Sequence, residues 1–174
     1  MQNRKGIILA GGYGTRLFPL TKIISKQLLP VYNKPMIYYS LYTLMQAEIR
    51  SILIITQSKF IPLYESLLGD GGHLGISISY ERQDIPSGIA EAFIIGEEFI
   101  GKDKVALILG DNIFYGSDLS SKLIKASKSN KTTLFACTVS NPSQFGVLKY
   151  QNNIPFKIIE KPKSPPSEDA ITGL

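Results

Sequence analysis

Apolar residues fall into short runs separated by glycine, proline and polar clusters, and the period changes from run to run. Residues 6–10 are apolar and bounded by glycines, which predicts a buried strand. Pro35 is placed to begin a helix, since Met36, Ile37, Leu41, Leu44 and Met45 then recur at helical spacing. Residues 51–56 predict a second buried strand, and 60–68 a second helix that stops at Gly69-Asp70-Gly71-Gly72. Residues 76–80 alternate with a period of two, the pattern of a strand with one exposed face near a sheet edge, which delivers Glu81, Arg82 and Gln83 to a loop. That loop, 83–88, leads into a helix expected over 89–99. The run 105–109 is the most hydrophobic and predicts a central parallel strand, because parallel strands are covered on both faces. An amphipathic helix over 119–127, capped by Ser117 or Asp118, and a strand over 132–139 follow. A turn begins at Asn141-Pro142, and residues 163–169, with Pro165 and Pro166, predict a solvated loop. Strands alternating with helices predict a three-layer α/β domain around a mostly parallel sheet.

The totals narrow the class. A chain of 174 residues is one domain by length, large enough to bury roughly 70% of its unfolded surface. With 44% hydrophobic and 19% charged residues it has the composition of a globular protein, and no run approaches a membrane span. No signal-peptide core follows Arg4 and Lys5, so a cytoplasmic location is expected. The net charge of +5 mixes acids with bases after the first quarter, which speaks against a nucleic-acid coat. Cys137, the one cysteine, excludes an internal disulfide and reads as a buried, inert thiol. His73, the one histidine, lies in a glycine-rich turn without neighbours that would make a metal site.

Candidate chemistry starts just after the first strand. Gly11, Gly12 and Gly14 allow positive φ and close backbone approach, so successive N–H groups can turn toward one anion. Residues 1–47 contain no Asp or Glu, while Arg4, Lys5, Arg16, Lys22, Lys26 and Lys34 are basic, a field suited to a triphosphate. The loop is not a P-loop, because Gly14-Thr15-Arg16 stands where Gly-Lys-Ser/Thr is required. Leu17 and the absent downstream acid also argue against a dinucleotide fingerprint, and hence against a dehydrogenase. A glycine loop backed by Arg16 and Lys26 can grip a polyphosphate from two sides. Gly110-Asp111-Asn112 follow the run 105–109, and ligands of open α/β sheets bind at the carboxyl ends of strands, which puts Asp111 at the pocket. It is therefore the first choice as a Mg²⁺ ligand, with a helix-capping or turn aspartate as the alternative.

Leu9-Ala10-Gly11-Gly12-Tyr13-Gly14-Thr15-Arg16-Leu17, Pro19, then Ser25-Lys26-Gln27-Leu28-Leu29-Pro30, together resemble the signature of the sugar-1-phosphate nucleotidylyltransferases. The thymidylyltransferase branch is the nearest, since Leu109-Gly110-Asp111-Asn112-Ile113-Phe114-Tyr115-Gly116 resembles its motif almost letter for letter. The resemblance implies a Rossmann-like nucleotidyltransferase domain that transfers a thymidylyl group from dTTP to glucose 1-phosphate, with Mg²⁺. It further implies a nucleotide site of Leu9, Gly11, Gly12, Gly14, Thr15, Arg16, Lys26, Gln27, Gln83, Pro86, Gly88 and Asp111. Gln83 and the segment Pro86-Ser87-Gly88-Ile89-Ala90 would hold the base, followed by Glu91 where the branch often has glutamine. Asn112, Gly146, Glu160, Lys161 and Ile171 would meet the sugar phosphate, and Arg16, Lys26, Asp111 and Lys161 would carry catalysis. Phe145 stands where tyrosine is common.

The resemblance covers residues 1–174 as the N-terminal part of such a domain, and the family continues further. A second metal-binding aspartate and C-terminal helices with tetramer contacts are expected beyond this stretch. A nucleotide-binding remnant without turnover, or a pyrophosphorylase for another base or sugar, are the other readings, and the pathway implied is deoxysugar supply for surface polysaccharide.

Overall fold

The computed structural model describes residues 4–174, which gather into two compact units, one ending at Ser129 and the other running from Asn130 to Leu174. The first unit opens with β1 (Arg4–Ala10), whose apolar residues are almost wholly buried. Two two-residue strands, β2 (Pro30–Val31) and β3 (Lys34–Pro35), pair antiparallel before α1 (Ile37–Gln46). Pro35 pairs with Pro30, so the helix begins two residues later than expected. β4 (Ser51–Thr56), α2 (Ile61–Leu68) and β5 (Ser77–Arg82) follow. Glu81 and Arg82 therefore belong to β5, and only Gln83 enters the loop.

The helix expected over 89–99 is instead two short ones, α3 (Glu91–Ile95) and α4 (Glu97–Ile100), divided at Gly96. A Cβ on Gly96 would come within 3.1 Å of Ile7 Cδ1 and 3.2 Å of Leu53 Cδ2, so the break lets the chain lie tight against the sheet. β6 (Lys104–Leu109) and α5 (Leu119–Lys128) complete the unit. Asp118 occupies the cap position of α5 without a side-chain capping bond, and Ser117 precedes it.

The sheet runs β5-β4-β1-β6, every pair parallel. Alternation along β1 sends Ile7 and Leu9 to a core shared with Leu53, Ile55, Ala92, Ile95 and Phe99, under α3 and α4. A Cβ on Gly6 would meet Leu44 Cδ1 of α1 at 2.8 Å, so α1 covers the other face and the unit has three layers. β5 lies at an edge, as its alternating pattern predicts, but β6 does too, and the central strands are β1 and β4. The apolar run of β6 reports that helices cover both of its faces. It does not report how many strands flank it.

The second unit is an antiparallel sheet in the order β7-β10-β8-β9, from β7 (Ala136–Thr138), β8 (Gly146–Gln151), β9 (Ile154–Glu160) and β10 (Asp169–Ile171). β8 and β9 are joined at Asn152 and Asn153, both with positive φ (51° and 61°), as tight hairpin turns require. Only three residues of the strand expected over 132–139 are in ladder, and Cys137 is exposed rather than buried, because β7 is a short edge strand. Asp169, expected in a loop, starts β10 and accepts hydrogen bonds from the Thr138 and Tyr150 hydroxyls. No helix among the described residues is long and apolar enough to cross a membrane.

Candidate active site

The chain passes from β1 to β4 to β5 on one side, then returns to β6 on the other side of β1. This reversal puts a crevice at the carboxyl ends of β1 and β6, the place where open parallel sheets bind ligands. Leu9 and Leu109 are in register there, and Gly110 donates its N–H to the Leu9 carbonyl at 2.9 Å. The glycine loop and Asp111 thus leave from adjacent strand ends.

Gly14 has φ 63° and is followed by a 3-10 turn, Thr15–Leu17. The loop carbonyls are engaged from outside: Gln57 Nε2 donates to Gly11 O at 3.0 Å and Gly12 O at 3.4 Å, and Thr21 Oγ1 donates to Gly14 O at 2.8 Å. Among the described residues no backbone carbonyl accepts from the N–H groups of Gly12, Tyr13, Gly14 or Thr15. Arg16 is exposed beside them. Lys22 and Lys59 line a cleft of about 400 Å³ with Tyr13, Thr15, Phe18, Thr21 and Gln57.

Lys26 stands in another 3-10 turn, Lys26–Leu28, and its Nζ lies 2.8 Å from Asp111 Oδ2. The other carboxylate oxygen accepts from Asn112 Nδ2 at 3.1 Å. Both partners keep about a third of their side-chain surface open, 30% for Lys26 and 33% for Asp111, so each remains reachable from the crevice. Gln27 is turned inward: it is buried, its Oε1 accepts from Ser25 Oγ at 2.8 Å, and that hydroxyl also meets Tyr64 OH at 2.8 Å. The side chain of Leu9 likewise packs into the core.

Gln83 is buried just past the end of β5, its N–H bonded to Thr56 O. Its Nε2 donates to Glu91 Oε2 at 2.5 Å, and its Oε1 occupies the space that a Cβ on Gly11 would need. Pro86 and Gly88 are exposed, and Gly88 has φ 110°, a conformation that favours glycine. Asp84 fixes the start of this loop by accepting the Ser58 N–H and hydroxyl, both at 2.8 Å, and these bonds hold its carboxyl below the usual range.

In the second unit, Gly146 pairs with Glu160 across β8 and β9, and Ala170 pairs with Val147. One step along each antiparallel strand sets Ile171 beside Gly146. Lys161 has φ 42°, donates its N–H to Phe145 O at 2.9 Å, and its Nζ lies 3.7 Å from Glu160 Oε1 in an exposed pair. Gly146, Glu160, Lys161 and Ile171 therefore form one cluster, as Leu9, Gly11, Lys26, Gln83 and Asp111 form another.

The sequence reading did not pick out Gln57, Thr21 or the role of Glu91. Gln57 carried a usable signal, since it directly follows β4 at a carboxyl strand end. Thr21 carried none, because its partner is a backbone carbonyl seven residues away.

Residues 5–174 match the sequence profile described as nucleotidyl transferase. The chain belongs to the nucleotidyl transferase family. Within the family it is 56% identical over 172 residues to a glucose-1-phosphate thymidylyltransferase of Neisseria meningitidis serogroup A and 53% identical over 171 residues to one of Mycobacterium tuberculosis. Each alignment takes in 98% of this chain and 60% or 59% of the relative, so the chain spans about 60% of the length of the curated relatives it matches. Among solved structures, a Bacillus anthracis protein assigned as a glucose-1-phosphate thymidylyltransferase, crystallised with sucrose, superposes with a TM-score of 0.89 at 42% identity, over 98% of this chain and 69% of that one. A UDP-glucose pyrophosphorylase complexed with UDP-glucose superposes with a TM-score of 0.80 at 27% identity, over 98% of this chain and 74% of that one.

Proposed function

We propose that this chain carries the nucleotide and sugar-phosphate half of a nucleotidyltransferase that joins dTTP and glucose 1-phosphate into dTDP-glucose with release of pyrophosphate. The observation that carries the reading is the meeting of the glycine loop and the Lys26–Asp111 pair at one crevice. The names of the curated relatives support thymine and glucose as the base and sugar.

In the proposed reaction a phosphate oxygen of glucose 1-phosphate attacks the α-phosphorus of dTTP in line. The new P–O bond forms as the bond between the α-phosphorus and the bridging oxygen breaks, and pyrophosphate leaves with that electron pair. Little covalent work falls to the protein, and its residues align the groups and offset charge. The loop N–H groups with Arg16 and Lys26 take the triphosphate. Gln83, Pro86 and Gly88 border the base, with Gly11 beneath. In the second unit Gly146, Glu160 and Ile171 take the sugar, and Lys161 takes its phosphate.

Asp111 offers hard carboxylate oxygens to a Mg²⁺ ion, which typically takes one or two carboxylates, phosphate oxygens and water. Such an ion, when bound, neutralises charge on the transferring phosphoryl group. The Lys26–Asp111 pair, about a third open to solvent, is worth under about 1 kcal/mol, so Lys26 would be free to meet phosphate and Asp111 to hold the ion.

The test is pyrophosphate release by the purified chain with Mg²⁺, dTTP and glucose 1-phosphate, alongside Asp111→Ala. Release that disappears in the variant is expected. Binding of dTTP without release would assign these residues to a nucleotide-binding half that needs further chain for turnover. Faster turnover of UTP than of dTTP would move the reading toward the uridylyl enzymes that the chain also resembles.

A further inference from the structure

We infer that Glu91 sets the base preference of this site by holding the Gln83 side-chain amide in one orientation, so that thymine or uracil is accepted and cytosine refused. The inference rests on the nucleotide reading above and adds a residue and a mechanism to it.

A glutamine amide presents one acceptor and one donor side by side, and its two orientations differ by a rotation that exchanges them. Thymine and uracil offer N3–H beside O4, a donor next to an acceptor. Cytosine offers N3 beside its amino group, an acceptor next to a donor. One amide orientation complements the first pair and the flipped orientation complements the second, so a freely rotating glutamine distinguishes them poorly.

Gln83 is not free to rotate. Glu91 Oε2 accepts from Gln83 Nε2 at 2.5 Å and from the Ser87 N–H at 3.2 Å. A carboxylate only accepts, so the amide end beside it must be the NH₂ group, and the flipped state would set oxygen against oxygen. The Ser87 bond holds the carboxylate itself, because that N–H belongs to the same loop. Gln83 is buried, and its Oε1 rests against Gly11, where no Cβ intrudes. The acceptor end is thus fixed on the glycine-loop side, and the second hydrogen of Nε2 remains for a neighbouring carbonyl. With N3 on the Gly11 side the fixed order, acceptor then donor, matches N3–H and O4.

The experiment is calorimetric titration of dTTP and dCTP, with Mg²⁺, into the wild-type chain, Glu91→Ala and Glu91→Gln. The wild type is expected to prefer dTTP, and Glu91→Ala to lose about 10-fold or more of that preference, in part through tighter dCTP binding. Glu91→Gln should restore most of it, because its carbonyl can accept both bonds while the Ser87 N–H keeps that end in place. Circular dichroism confirms that the variants are folded, and a loss of packing alone would weaken both nucleotides together without changing their ratio. A wild type that prefers dTTP and a Glu91→Ala variant that keeps the whole preference would overturn this inference and leave the function standing. A folded wild type that binds neither nucleotide would overturn both.

Discussion

Lys26 Nζ lies 2.8 Å from Asp111 Oδ2, although the two residues are 85 positions apart in the chain. The pair exists because the strand order reverses at β1, bringing the turns after β1 and after β6 to one crevice. Lys26→Met should weaken dTTP binding by roughly 10- to 150-fold, the range expected for a charge-assisted contact of about 1.5 to 3 kcal/mol. Stability should change by less than about 1 kcal/mol, because about a third of each side chain is open to solvent. Calorimetric titration and urea unfolding check the two halves; a large loss of stability with unchanged binding would show that the pair is structural.

Arg16 is exposed next to the loop N–H groups, in a turn that has no buried residue. Arg16→Ala should leave circular dichroism and the thermal midpoint as in wild type while pyrophosphate release is abolished. A fully active variant would remove Arg16 from the triphosphate site.

The three loop glycines should differ on replacement by alanine. At Gly11 the new methyl collides with the carbonyl end of Gln83, an overpacking cost of about 1–3 kcal/mol. At Gly14 it is placed on left-handed backbone, at about 1–2 kcal/mol, and within 3.0 Å of Thr21 Cγ2. At Gly12 it meets nothing within 4 Å, so stability should hold to within about 0.5 kcal/mol while the ligand loses its close approach. Urea midpoints in the order Gly12→Ala above the other two test this.

Tyr64 is fully buried against Ser25, and loss of solvation pushes its hydroxyl up to about 12 from 10.0, with the Ser25 bond acting the other way. The unfolded chain gives up this proton near pH 10 and the folded chain near pH 12. The contribution of Tyr64 is therefore complete below pH 10 and lost as pH rises from 10 to 12, on the order of 2–3 kcal/mol across that window. Unfolding at pH 9, 10 and 11 should show a steeper decline for wild type than for Tyr64→Phe, and parallel curves would refute the assignment.

Much of this architecture was legible because local patterns report local environments. The strand at 51–56 and the helix at 60–68 sit almost where their periods place them, and β5 lies at the edge that its alternation implies. What failed was anything depending on neighbours in space. The run 105–109 is shielded on both faces yet lies at an edge of the sheet, and Cys137 sits in an apolar run but on an exposed edge strand. Gly96 divides a helix that its flanking residues would continue, because the sheet beneath leaves no room for a Cβ. The site shows the same contrast: Asp111 and the glycines announce themselves by type and position. Thr21 and Glu91 act through hydrogen bonds to partners that no spacing reveals, and Gln57 shows itself only by following β4.

The bonds from Gln57 and Thr21 reach beyond the loop's shape. They engage the carbonyls of Gly11, Gly12 and Gly14, the oxygens that would otherwise repel an approaching phosphate. A cradle whose oxygens are already hydrogen-bonded selects against cations as well as for anions. Its polarity is set before any ligand arrives, so little of the energy of capture is lost in rearranging the protein.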